Sequence, residues 1–206
     1  MSLTFPLHRN PNPAGDDEVA RVLANPGFGD HFTDHMAVAT WTKADGWAAD
    51  EVKPYGPFQM DPASAVLHYG QEIFEGLKAY RHADGSIHLF RPEANAERFQ
   101  SSAARMMLPE LPVDDFVTAV EELVKVDERW VPVSAGEQSL YIRPFMFASE
   151  VFLGVRAAAR VTFCVVVSPA GPYFAGGVQP VDIWVTDEYS RAGVGGTGAA
   201  KCGGNY

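Results

Sequence analysis

An α+β fold is expected from three features of the sequence. Strand-like runs come in groups, two helical segments separate those groups, and no strict strand–helix alternation points to a doubly wound sheet. The 206 residues, 47% hydrophobic and 20% charged, have ordinary globular composition and can bury a sizeable core.

The elements follow in order. Residues 1–34 are rich in Pro, Gly, Asn and Asp and read as an irregular lead-in, with a short helix around Asp16 to Leu23. "HMAVATWT", the break "ADG" and "WAADEVKPYG" form a plausible hairpin. "SAVLHYGQEIFEG" reads as a short helix or turn feeding a strand, and "LKAYR" and "SIHLFR" flank "HADG" as a second hairpin. "PEANAERFQSSAARMML" has good helix formers and ends before Pro109. In "DDFVTAVEELVKVDERWV", Asp114 is the expected N-cap, and Phe116, Val120, Leu123, Val124 and Val126 recur at near-helical spacing. "SLYIRPFMFA" and "RVTFCVVVS" are two further strands. "PAGPYFAGG" reads as a linker, and "VDIWVTD" as a strand of a new unit. The expected organisation is a small α+β domain over 1–170, a linker over 171–178, and the start of another unit over 179–206.

Charge narrows the function. A formal net charge of -10, with no Lys/Arg-rich run, repels phosphate backbones and anionic membrane surfaces, so neither nucleic acid nor membrane is an expected partner. No stretch approaches the roughly 20 apolar residues of a membrane span. The opening lacks the basic start and apolar run of a secretory signal. Of the two cysteines, Cys164 sits in an apolar run and Cys202 near the end, with neither metal nor disulfide spacing. His31 and His35 are four apart but have no obvious acidic or thiol partner, so hydrogen-bonding roles are expected. A cytoplasmic location is the expectation.

A few residues have the character of chemical groups. Lys201 lies in "GGTGAAKCGGNY", where glycine and alanine remove side-chain bulk and let a flat ligand approach the backbone. An apolar, ligand-lined setting disfavours the ammonium form and frees the amine for Schiff-base chemistry. A solvated lysine in a flexible loop satisfies the same local composition. A nucleotide-binding P-loop is excluded, because Ala200 and Cys202 flank the lysine where Gly and Ser/Thr are required. Arg98, near the start of the first long helix, can meet an anion with paired donors, or can simply be exposed. Arg143 lies in an apolar strand with Tyr141 on the same face; together they can line a carboxylate pocket, or Arg143 can lie on the solvent face of an edge strand. Tyr69, Phe74 and Tyr80 beside Gly70 and Gly76 can wall an apolar pocket or belong to the core.

Taken in order, "LHYGQEIFEGLKAYR", "NAERFQSSAARM", "LYIRPFMFA" and "GTGAAKCGGNY" resemble the successive signature segments of branched-chain amino acid aminotransferases, pyridoxal-phosphate enzymes of fold type IV. The resemblance runs from about residue 28 to residue 206 and implies the small domain of that architecture plus the first, incomplete portion of the large one. It implies transamination of leucine, isoleucine and valine with 2-oxoglutarate and glutamate, by a homodimer, with pyridoxal 5'-phosphate as cofactor. Lys201 matches the lysine that carries the cofactor and shuttles the proton, Arg98 the arginine on its phosphate, and Tyr206 the tyrosine on its phenolic oxygen. Tyr141 and Arg143 match substrate-pocket residues, the arginine meeting glutamate's distal carboxylate. Tyr69, Phe74 and Gly76 match the aliphatic wall, and Leu153 and Val155 in "FLGVR" the tip of a loop entering the neighbouring subunit's site. Family members continue past this point, so a fragment without activity of its own is expected. D-amino acid aminotransferases and aminodeoxychorismate lyases share the fold type, but "FEGLKAYR" and the glycine pair after Lys201 favour the branched-chain enzymes. A non-catalytic dimerising domain is the alternative of another class.

Overall fold

The computed structural model describes residues 2–133, 137–172, 174, 177 and 179–206. Four α-helices, α1 (Asp16–Ala24), α2 (Ala65–Tyr69), α3 (Pro92–Arg105) and α4 (Val113–Val126), accompany seven strands. The strands are β1 (His35–Thr42), β2 (Gly46–Pro54), β3 (Glu72–Phe74), β4 (Leu77–Arg81), β5 (Ile87–Leu89), β6 (Ser139–Ala148) and β7 (Arg160–Ala170). They form one sheet in the order β2-β1-β7-β6-β4-β5, with β3 also paired to β6, and every strand pair is antiparallel. The expected α+β class and both hairpins are present.

The central ladder joins β6 to β7 in unbroken register from Ser139↔Ala170 to Ala148↔Val161. Period-two alternation gives each strand a core side and an open side. Leu140, Ile142 and Met146 of β6 and Val161, Phe163, Val165 and Val167 of β7 are buried in the main core. Helices α3 and α4 cover this side. In α4, Phe116, Ala119, Val120, Leu123 and Val124 form the inward stripe. Phe99, Phe116 and Phe163 stack from α3, α4 and β7 with ring centroids 5.4 to 6.1 Å apart. The opposite side carries a smaller cluster of Met36, Val38 and Cys164, with Phe58, Phe145 and Val166 packed on it. Burial pushes the Cys164 thiol up to about 12, as suits an inert core side chain.

Polar clamps tie the lead-in to this body. A bulge shifts the β1–β2 register between Val38 and Thr40, and Ala49 in β2 takes a φ of +52°. Asp50, beside it, accepts the backbone N–H groups of Thr4 and Phe5 at 2.6 and 2.7 Å. His35 is buried: its Nε2 accepts the Asn10 N–H at 2.8 Å, which leaves Nδ1 to donate to Asp127 at 2.7 Å. It serves as the hydrogen-bonding histidine expected of it. Among the described residues no group of three or more His, Cys, Asp or Glu is placed to hold a metal, and no helix is long and apolar enough to cross a membrane.

Two expectations need correction. Asp114 is not the N-cap of α4: the helix starts at Val113 behind Pro112, with no side-chain cap, and Asp114 and Asp115 occupy its first turn. Pro112 takes the cap position with an extended ψ of 142°, so Asp114 already lies inside the first turn. Asp115 is buried and accepts the Ser2 hydroxyl and the Leu3 N–H. "VDIWVTD" is not a strand; 181–187 has no strand assignment, and Val181, Ile183, Trp184 and Val185 are exposed. A strand requires a neighbouring ladder, and none of the described residues supplies one. The expected linker over 171–178 includes 173, 175, 176 and 178, which lie outside the described residues.

Asp34 is the most heavily used of the clamps. It accepts Ala14 N–H at 2.7 Å, the Trp130 indole N–H at 2.7 Å and an Arg129 N–H at 2.8 Å. Burial works to raise its carboxyl, but these three donors outweigh it and hold the group below its ordinary 3.8. A depressed carboxylate contributes stability that is complete above its unfolded value and is lost as pH falls through the folded value. Acid titration followed by Trp130 fluorescence should therefore show a stability loss setting in below about pH 4. Asp34→Ala should flatten that dependence and cost about 3 kcal/mol at neutral pH, since it strands three donors.

Candidate active site

The site forms where β3 gives way to β4. β3 pairs with β6 as far as Phe74↔Phe145, and β4 resumes at Leu77↔Ile142, so Glu75 and Gly76 fall outside the ladder. Pro144 stands opposite the gap. Its carbonyl accepts the Glu75 N–H at 2.8 Å, but as proline it has no N–H to return.

The open side of this gap gathers most of the expected residues. The Arg143 guanidinium donates to the Tyr141 hydroxyl at 2.8 Å and lies 4.9 Å from the Phe74 ring centroid. β6 is a central strand and Arg143 is half-buried, so the solvent-face edge-strand alternative does not hold. Its Nε is buried and makes no hydrogen bond among the described residues. Phe28 packs on Tyr141 at 5.1 Å, and a recess of about 260 Å³ opens between Phe28, Phe32, Tyr141 and Arg143. A larger groove lined by Ile87, Leu89, Glu121 and Lys125 shares none of these residues.

Lys201 also reaches the Phe74 ring. Its Nζ lies 4.6 Å from the Phe74 ring centroid and 3.0 Å from the Tyr206 hydroxyl. Phe74 and Tyr206 rings are 5.4 Å apart. Among the described residues no carboxylate pairs with this amine. The chain around it is held by backbone contacts: the Phe74 N–H donates to the Lys201 carbonyl at 3.0 Å, and the Lys201 N–H to the Ser102 hydroxyl of α3 at 2.9 Å. The Gly203 N–H donates to Glu72, and any side chain at 203 would strike that carboxylate. Burial raises the Glu72 carboxyl, outweighing the lowering by the Gly203 N–H. Asn205 closes the turn by donating to the carbonyls of Ala200 and Thr197 at 2.7 and 3.0 Å. Arg105 of α3 grips the carbonyls of Gly195 and Gly196 at 2.7 and 2.8 Å. The lysine segment is thus seated between β3 and α3 rather than loose.

Arg98 lies on α3 in a forked pair with Glu75, at 2.6 Å through Nε and 2.8 Å through Nη2. The Glu75 hydrogen bond raises its pKa, against desolvation and with help from the charge of Glu75. One turn later on the same helix, Ser102 accepts the Lys201 N–H, which brings Arg98 and the lysine segment to one helix.

Tyr69, Leu153 and Val155 form a separate group. The Tyr69 hydroxyl donates to the Leu153 carbonyl, and its ring lies 6.4 Å from that of Phe152. No hydrogen bond or ring contact among the described residues joins Tyr69 to Phe74. Leu153 is 64% and Val155 93% exposed. Glu72, Glu75, Asn95 and Ser102 were not singled out from the sequence. For Glu75 one signal was available: a carboxylate in an apolar run must find a donor when buried.

No protein-family model matches the chain. It is 56% identical over 204 residues to the branched-chain-amino-acid aminotransferase of Mycolicibacterium smegmatis, covering 99% of this chain and 55% of that protein. It is 57% identical over 203 residues to the probable branched-chain-amino-acid aminotransferase of Streptomyces coelicolor, covering 98% and 56%. The chain spans about half the length of the curated relatives it matches. Among solved structures, the Escherichia coli branched-chain amino acid aminotransferase aligns with a TM-score of 0.55 and 23% identity, over 82% of this chain and 52% of that one. That of T.th., solved with pyridoxamine 5'-phosphate, aligns with a TM-score of 0.54 and 23% identity over the same shares. Both alignments establish the shared fold.

Gly76 offers a local test of the site. A Cβ there would meet the Tyr141 hydroxyl and come within 3.2 Å of its Cζ. Gly76→Ala should cost about 1–2 kcal/mol in thermal or denaturant unfolding. Adding Tyr141→Phe should recover part of that loss, because it removes the atom in closest conflict.

Proposed function

Because the chain belongs to the branched-chain-amino-acid aminotransferase family, we propose that the whole protein transfers amino groups between branched-chain L-amino acids and 2-oxoglutarate with pyridoxal 5'-phosphate. One observation carries this reading: the Lys201 amine, with no carboxylate partner among the described residues, sits 3.0 Å from the Tyr206 hydroxyl against the face of Phe74.

The donor set fits the cofactor. An amine, a phenol, an aromatic face and a partly committed guanidinium meet in one place, as a phosphorylated pyridine aldehyde requires. When bound, the cofactor supplies the electron sink that acidifies the substrate Cα–H. The rest falls to the chain. Lys201 Nζ takes and returns that proton, and the Tyr206 hydroxyl 3.0 Å away holds it in line. Phe74 excludes water on one side. Arg98 offers donors to a phosphate. Arg143, tied to Tyr141, receives the distal carboxylate of glutamate or 2-oxoglutarate, while Phe74 and the bare backbone of Gly76 accept a branched aliphatic side chain. Leu153 and Val155, apolar and exposed, are suited to enter the site of a second copy in a homodimer, with Tyr69 bracing their loop.

Borohydride reduction of the whole protein in the presence of cofactor should fix the cofactor to the Lys201 peptide, read by mass spectrometry. Lys201→Ala should abolish that adduct and lower leucine–2-oxoglutarate turnover by about 10³-fold or more. A second test separates the substrates. Arg143→Gln should raise KM for 2-oxoglutarate about 10- to 100-fold, the loss of a charge-assisted contact, and leave KM for leucine within a few-fold.

A further inference from the structure

Glu75 is fully buried, yet it is a carboxylate. Burying such a group costs free energy unless it is paired, and an apolar side chain would fill the space without that cost. Its partners are specific. Arg98 donates Nε to one oxygen at 2.6 Å and Nη2 to the other at 2.8 Å. Asn95, one turn earlier on α3, donates to the second oxygen at 2.8 Å, and the Gly76 N–H adds a contact at 3.2 Å. The carboxylate itself is anchored in the β3–β4 gap, where the Glu75 N–H is held by Pro144. Two parallel hydrogen bonds fix the plane of a guanidinium, which a single contact does not.

The pair is lopsided. The Glu75 side chain is 0% exposed and that of Arg98 is 55% exposed. One edge of the guanidinium is consumed by Glu75, and Nη1 makes no hydrogen bond among the described residues. Arg98 lies one helical turn before Ser102 on α3, whose hydroxyl accepts the Lys201 N–H at 2.9 Å, and the Lys201 amine donates to the Tyr206 hydroxyl at 3.0 Å.

We propose that Glu75 is a positioning residue: its two-point grip, braced by Asn95, orients the free edge of Arg98 toward an anionic group bound beside Lys201 and Tyr206. This rests on the reading above, in which that anion is the cofactor phosphate. Glu75 touches no ligand; it acts through Arg98. Its opposite charge works against anion binding, so the proposal requires that orientation outweigh neutralisation.

The test compares pyridoxal phosphate with pyridoxal, which lacks the anion. The whole protein is stripped of cofactor, and dissociation constants for both compounds are read by absorbance. Glu75→Gln should weaken pyridoxal phosphate about tenfold and leave pyridoxal within about twofold, since only a charge-assisted contact is lost. In an Arg98→Gln background the same substitution should add nothing. Equal losses for both compounds would mean a structural role and overturn the proposal. So would a gain in phosphate affinity, or a full further loss without Arg98. If Glu75→Gln does not fold, Asn95→Ala loosens the same grip and should lower the phosphate preference several-fold; an unchanged preference would reject the inference. A wild-type protein that binds neither compound removes the functional reading itself, whereas the outcomes above remove only the role of Glu75.

Discussion

Strand β6 has to satisfy two environments at once, and the rest of the molecule is arranged around that constraint. Its even-numbered residues Leu140, Ile142 and Met146 belong to the core under α3 and α4, while Tyr141, Arg143 and Phe145 stand on the other side. The period of two that makes it a strand also makes it a wall between core and site. Ten residues of unbroken pairing with β7 hold it in register. A slip of one residue would carry Arg143 into the core and Ile142 into the recess. Pro144 adds the second half of the constraint. It cannot donate toward β3 and β4, so the ladder parts there, and the parting releases Glu75 and Gly76 for other uses.

Both released residues are spent on arginines. Glu75 turns to the helical side and holds Arg98; Gly76 leaves room for Tyr141, which accepts from Arg143. Two guanidiniums are thereby fixed, one on α3 by Glu75 and one beside Phe74 by Tyr141, without a charged loop having to fold by itself. The lysine segment uses the same frame. Its backbone adds to the edge of β3 through Phe74 and to α3 through Ser102, and Arg105 and Asn205 satisfy carbonyls on each side of it. Backbone contacts carry the seating, so the lysine side chain remains uncommitted apart from Tyr206. The contrast with 181–185 is physical: that segment is more apolar than the lysine loop but exposed, because its groups meet no ladder or packed face among the described residues.

Much of the fold was legible because its signals are local. Alternation in "SLYIRPFMFA", the turns "ADG" and "HADG", and the helical spacing of Phe116, Val120, Leu123 and Val124 each act within a few residues. The misreadings came where a local signal met a wider context. Asp114 has cap chemistry, but Pro112 takes the cap position two residues earlier. "VDIWVTD" has strand composition, but pairing is a property of two segments, not one.

The site divides along the same line. Sequence by itself determined that Lys201 stands among small residues, that Arg143 and Tyr141 share a strand face, and that the ordered segments match those of branched-chain aminotransferases. Tertiary structure decided that Arg143 and Lys201 both meet the Phe74 ring, that Tyr69 joins Leu153 rather than Phe74, and that Arg98 is shared with a buried Glu75. Neighbour relations within one strand or helix follow from a fixed period. The distance between residues 75 and 98, or 74 and 201, depends on how separate elements pack, and no period links them.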